Sequence, residues 1–409
     1  MTLLLIPTLT RAGAGIVAVI GNEYYEGLEE AIEAASSNDV IKLVADIELD
    51  NSLNINKTVN INLNGHTVSA AESVFLVEGG SLNLTGKGTV KETKPNYGAI
   101  VIKGSESASD ENYSTVSVGA NVMLEGWSGV FVKQSNDKAY GVNINMNGSI
   151  NAIKDINDNV GAGIYVNGKI KHQNNHPIIN LSTTTKITST GDGIYIAGYA
   201  TVNINGATIT GNDSGVAMKS GILNMNSGTI TCIGTDRTPT SGNTNGINPS
   251  GTAIQIESNN SYAGDIIINI KGGLIKSNNS YAMYEYTTNS SSTKVSDILI
   301  SGGKFVSGSS KSVFHFSESF KSKHTAFISG GEFSTTPNSY LKSGYKSEEI
   351  SGLYEVMPVS KEVNYAKIDD DKNNSSILII AIPLLVVAVL MAYFFRNNIK
   401  ILFNNLMKK

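Results

Sequence analysis

The chain has 409 residues, with 31 basic and 35 acidic side chains for a net charge of −4, and holds 41 Gly but only 8 Pro. Charged residues make up 16%, well below the roughly 25% of ordinary globular domains, and Asn, Ser, Thr and Ile fill much of the rest. Arg occurs only at positions 11, 237 and 396, which argues against nucleic acid as a partner, and the single cysteine, Cys232, excludes an internal disulfide.

Residues 1–16 combine a brief apolar run, Leu3 to Ile6, with an Ala-Gly-Ala-Gly stretch and read as a signal-peptide remnant or a poor intact signal. The segment 24–35 then predicts one amphipathic capping helix, with Leu28, Ala31, Ile32 and Ala35 as its apolar stripe. Strands follow at Val40 to Leu43 and at Asp46 to Leu49.

From there a short phrase, apolar-Asn-apolar, recurs. It stands at Ile61-Asn62-Leu63, Leu82-Asn83-Leu84, Ile144-Asn145-Met146, Ile179-Asn180-Leu181, Val202-Asn203-Ile204, Leu223-Asn224-Met225 and Ile268-Asn269-Ile270. Period-2 alternation makes each a strand with its apolar residues on one side and Asn on the other. A closing apolar residue follows at Val68, Val90, Ile187, Ile209 and Ile230, in steps of twenty-one or twenty-two residues where rungs are uninterrupted. Such a period marks a solenoid whose repeats bury their apolar faces only by stacking.

A second strand belongs to each repeat, as in Gly163-Ile164-Tyr165-Val166 and Gly193-Ile194-Tyr195-Ile196. Helix-period segments are absent between these strands, which disfavours a βαβ sheet. The fold class is therefore all-β, a right-handed parallel β-helix of about ten turns and roughly 50 Å length at the usual strand spacing. In this alignment the second strands turn Phe75, Phe131, Tyr165 and Tyr195 outward as an aromatic row, the candidate ligand-binding residues. Aromatic stacking that stiffens the sheet is the plainer reading of the same row. The first strands place Asn62, Asn83, Ser117, Asn145, Asn180, Asn203, Asn224 and Asn269 in a column suited to turn-to-turn amide hydrogen bonding. Insertions at 105–114, 134–140, 169–176, 259–264 and 288–296 share one corner, and a longer one, 234–250, leaves from another.

The repeat breaks at Tyr340 to Tyr345 and Gly352 to Val356, which should close the far end. Residues 358–376 read as a polar stalk. The 19 uncharged residues from Ile377 to Phe395 are long enough for a transmembrane helix. Arg396, Lys400, Lys408 and Lys409 follow in the tail 396–409, so the positive-inside rule puts the C-terminus in the cytoplasm and the rod outside a plasma membrane spanned once.

Val17 to Asn22, Leu28 to Ile32, Ile41 to Ile47 and Ile61-Asn62-Leu63-Asn64-Gly65-His66-Thr67 at the front carry a family resemblance. So do Phe327-Ile328-Ser329-Gly330-Gly331-Glu332-Phe333, Tyr340-Leu341 and Gly352 to Val356 at the back. Residues 17–357 resemble surface proteins of Gram-positive bacteria that carry a right-handed β-helix of the pectate-lyase-like type. The resemblance implies an extracellular module and raises polysaccharide lyase or hydrolase activity as the alternative to glycan or host or cell-wall protein binding. The Asn-Thr-Asp, Asp-Asp, Gly-His-Gly and Arg-Ile-Lys motifs of the hydrolases are missing from the rod. A lyase needs carboxylates gathered around Ca²⁺ and a cationic base, whereas Asp155, Asp158, Asp192 and Asp213 fall at scattered turns. The expectation is a non-catalytic adhesin without catalytic residues, metal or cofactor.

Overall fold

The computed structural model describes residues 15–359, apart from 156, 172–173 and 240–249. All of the stalk beyond residue 359, the expected transmembrane helix at 377–395, the basic tail and nearly all of the N-terminal signal region lie outside the described residues, while Pro358, read as the start of the stalk, belongs to the last strand. No helix among the described residues is long and apolar enough to cross a membrane.

The described chain is all-β with parallel sheets, consistent with a β-helix-like solenoid. Its strands fall into three ladders, because a strand pairs in parallel with its counterpart one repeat away. The first ladder joins, among others, Val142–Met146, Ile178–Leu181, the start of Thr201–Gly211, the start of Gly221–Cys232 and Ile266–Ile270. The second joins Gly88–Glu92, Val122–Gly126, Ser149–Ala152 and Lys186–Ser189. The third is a ten-stranded sheet running from Leu53–Ile55 through Ala162–Val166 and Asp192–Ile196 to Phe314–His315.

Three strands per repeat, rather than two, is a correction to the sequence reading. The closing residues Val68, Val90 and Ile187 belong to strands of their own, divided from the first ladder by turns such as Asn64-Gly65, where φ is 50° and 96°. Positive φ is cheap for Gly and tolerable for Asn, so Asn-Gly here marks a corner rather than a continuing strand.

The small residue that opens each third-ladder strand has a steric cause. A Cβ on Gly163 would lie 2.2 Å from Cγ2 of Ile187, and one on Gly193 would lie 2.4 Å from Cγ2 of Ile209. The closing aliphatic of the second ladder fills that space. The interior is a continuous column of Ile, Val and Leu from all three ladders. Cys232 is buried and free, its thiol pushed up to about 12 by burial.

Both ends are capped. The helix spans Leu28–Ala34, shorter than expected, because Glu23–Tyr25 forms a strand antiparallel to Ala18–Ile20 and Gly27 is extended at the N-cap. Leu28, Ala31 and Ile32 are its buried face, as the apolar stripe required. At the far end a second helix, Glu318–Lys323, begins at Ser317, whose side chain accepts from the Phe320 amide. Phe316 stacks on Phe320 at 4.1 Å, and the antiparallel hairpin Tyr345–Ile350 and Leu353–Pro358 completes the closure.

The amide column exists with one substitution. Asn83 donates to Asn60 (2.8 Å), Asn180 to Asn145 (3.1 Å), Asn203 to Asn180 (2.9 Å), Asn224 to Asn203 (2.9 Å) and Asn269 to Asn224 (3.0 Å). Asn60, not Asn62, begins it: Asn62 pairs in register with Thr85, and its side chain accepts from the Asn64 amide. All five insertions after the third-ladder strands return to the first ladder, so they share one corner.

Candidate functional site

The outer side of the third ladder gathers most of the chemistry. Its central column reads, in register, Leu76, Val101, Phe131, Tyr165, Tyr195, Ala217, Gln255, Tyr284 and His315. Phe75 does not belong to it, which corrects the sequence alignment. Phe75 pairs with Ile100 and is wholly buried in the core, since the chain turns one residue later at this repeat and Val74 also faces inward.

The remaining three candidates form a stack. Phe131 lies parallel to Tyr165 with centroids 4.9 Å apart, and Tyr165 meets Tyr195 at 4.7 Å. Two rings absent from the sequence-derived row complete the layer. Trp127 sits 5.3 Å from Tyr165, and Tyr97 meets Phe131 edge-on at 5.7 Å. Phe131 is 6% and Tyr195 2% exposed, while Tyr97 is 48% exposed and Trp127 and Tyr165 are half-buried. The surface open to a ligand is therefore Tyr97, Trp127 and Tyr165, with Phe131 and Tyr195 as its support.

Glu92 fixes the two added rings. Its wholly buried carboxylate accepts from the backbone amides of Asn96 (2.9 Å) and Tyr97 (3.0 Å) through Oε1, and of Trp127 (2.9 Å) through Oε2. One side chain thus orients two adjacent corner loops. The chain's only Trp, between Gly126 and Ser128 in a turn too short to be core, was the available signal for this part of the site.

Tyr195 is closed over by an ion pair. Lys219 and Glu257 are neighbours across adjacent strands, each 2% exposed, with Nζ 2.9 Å from Oε2. The Lys219 ammonium lies 4.7 Å from the ring centre of Tyr262 and 5.6 Å from that of Tyr195. Glu257 also accepts from Asn259 (2.8 Å), Thr288 (2.6 Å) and Tyr286 (3.1 Å). Burial alone would raise its pKa, but the Lys219 charge and these hydrogen bonds hold the carboxyl below its usual range. Further along the same face Tyr284 packs on His315 at 4.5 Å and on Tyr286 at 5.5 Å.

The acidic candidates are not brought together as a catalytic set. Asp155 commits its carboxylate to its own turn, accepting from the amides of Asn157 (2.7 Å) and Asn159 (2.8 Å), and Asp158 is exposed beside Lys154. Asp192 and Asp213 are buried at a corner of the coil. Burial pushes the Asp192 carboxyl up to about 8, although Ser214 donates to it at 2.5 Å. Among the described residues no group of three or more His, Cys, Asp or Glu side chains is placed to hold a metal ion.

The Asp192 shift has a signed consequence. The folded state keeps the proton up to pH about 8 while the unfolded chain releases it near 3.8, so this residue lowers stability as pH rises across that window. Asp192→Asn, which keeps an acceptor for Ser214, should gain stability over the parent progressively as pH rises between those limits and level off above. Urea midpoints measured from pH 4 to 9 test this, and a pH-independent difference would refute the neutral carboxyl.

Comparison with known protein families, with curated proteins and with solved structures yields no match to this chain, so the functional reading rests on its own geometry.

Proposed function

We propose that this is a non-catalytic surface-recognition protein. In this reading residues 17–357 form an extracellular right-handed parallel β-helix of the pectate-lyase-like type, held to the plasma membrane by a helix at Ile377 to Phe395. The rod presents the Tyr97, Trp127 and Tyr165 rings to an extracellular ligand, in the manner of an adhesin. A glycan suits them best, because flat rings with polar edges match the alternating apolar and hydroxyl faces of pyranoses. The supporting observation is that three partly open rings, Tyr165 on the parallel ladder and Tyr97 and Trp127 on its corner loops, pack with the buried ladder rings Phe131 and Tyr195. Such support removes rotamer entropy before the ligand arrives.

Glycan-array binding by the full chain, lost in Trp127→Ala with unchanged thermal unfolding, is the expected result. Binding that survives both Trp127→Ala and Tyr165→Ala would sink the assignment. Release of unsaturated or reducing ends from a bound polymer would replace it with catalysis.

A further inference from the structure

At the corner between the second and third ladders, on the repeats either side of Trp127, lies a groove of about 660 Å³, within the range of small-ligand sites. It arises from unequal loop lengths. The turn Gly126-Trp127-Ser128 is short, whereas the corners on the repeats either side are longer in sequence and supply lining residues 93–96 and 153–155 with Asn157. Resting on the glycan-binding reading, we infer that this groove takes an electroneutral sugar bearing an N-acetyl group, held as part of the same ligand that covers Trp127.

Three features select that class. First, Ala71, Pro95 and Ile153 supply small apolar contacts of the size of an acetyl methyl. Second, Asn96 and Asn157, from two different corner loops, are among the lining residues, and a carboxamide can give and receive with an acetamido N–H and C=O at once. Third, the charges cancel. The lining holds two lysines, Lys94 and Lys154, and two carboxylates, Glu72 and Asp155, while Lys154 lies 3.5 Å from Asp158 and the whole chain carries −4. An acidic polysaccharide would gain nothing from such a field. Continuity with the rings is built in, since Asn96 and Tyr97 are consecutive and their amides share the Glu92 carboxylate with Trp127.

The test is calorimetric titration of the full chain with chitotetraose, cellotetraose and tetragalacturonate. Cellotetraose has the same linkage and differs from chitotetraose by lacking the acetamido groups. Chitotetraose should bind about tenfold or more tighter than cellotetraose, because an amide-matched site rejects an analogue without the amide. Asn96→Ala and Ile153→Asp should each lower chitotetraose affinity more than cellotetraose affinity and so shrink the ratio between them, and Trp127→Ala should weaken both. Equal affinity for the two neutral sugars, or strongest binding of tetragalacturonate, overturns the N-acetyl assignment while leaving the ring platform standing. No binding by any of the three overturns the groove assignment. Loss of all glycan-array binding as well overturns the platform with it.

Discussion

Lys219→Met is expected to destabilise the chain by about 3–5 kcal/mol at neutral pH, read as a lower urea midpoint, because it strands the Glu257 carboxylate in the protein interior. Desolvation decides the size of the effect. The pair gains little over an apolar substitute, but either partner left alone has no water to solvate it. The double variant Lys219→Met, Glu257→Gln should therefore recover much of the loss. The pH dependence has a fixed sign. Glu257 is held below its usual range in the folded parent, so its contribution is complete above the ordinary carboxylate range and disappears as pH falls through the folded value. In Lys219→Met the unpaired carboxyl shifts upward instead, and the penalty should shrink as acid neutralises it. A penalty that stays constant from pH 7 to 4 would show that Glu257 is not carrying charge there.

Glu92→Ala is the second large expectation. The substitution leaves the amides of Asn96, Tyr97 and Trp127 without their acceptor, and even one buried orphan donor costs about 1–3 kcal/mol. Function should suffer more than stability, since both loops that place the open rings lose the same anchor. Trp127 is the chain's only tryptophan, so its emission reports the change directly. A red shift and loss of glycan binding are expected for Glu92→Ala, with a smaller shift for Glu92→Gln, which retains one acceptor oxygen. Unchanged emission in Glu92→Ala would show that packing against Tyr165 alone holds the indole.

Much of this architecture is legible in the residue order because the side-chain period of a strand is two and the coil repeats. Asn203 and Asn224 lie in register as their 21-residue spacing demands, and so do Tyr165 and Tyr195. The errors have physical causes. Val59-Asn60-Ile61-Asn62-Leu63 offers two Asn of the same parity, and alternation cannot say which one meets Asn83. Ser73-Val74-Phe75 imitates the small-then-apolar start of later strands, yet the corner there takes one more residue and sends Phe75 inside. A single apolar residue after an Asn-Gly corner looks like the end of a strand when it is the centre of another, which hid the second ladder.

The site was legible only in part. Tyr97 and Trp127 occupy loops, where no period announces the direction of a side chain. The Lys219–Glu257 contact was within reach, because each directly follows its strand's inward-outward-inward triplet, in Val216-Ala217-Met218-Lys219 and Ile254-Gln255-Ile256-Glu257. The insertion at 234–250 conceals that equivalence by breaking the spacing. Glu92 and its three amides could not be foreseen, since the acceptor lies on one repeat and a donor on the next.

The asparagine ladder gives the first ladder a cohesion of a different kind from the buried Lys219–Glu257 ion pair. Carboxamides hold no ionisable proton and attract no counterions, so neither acid nor brine slackens those links. A protein joined this way along one flank can meet large swings in its surroundings with its spine unaltered. Ser117, where the chain of amides is interrupted, then divides that flank into two separately knitted lengths.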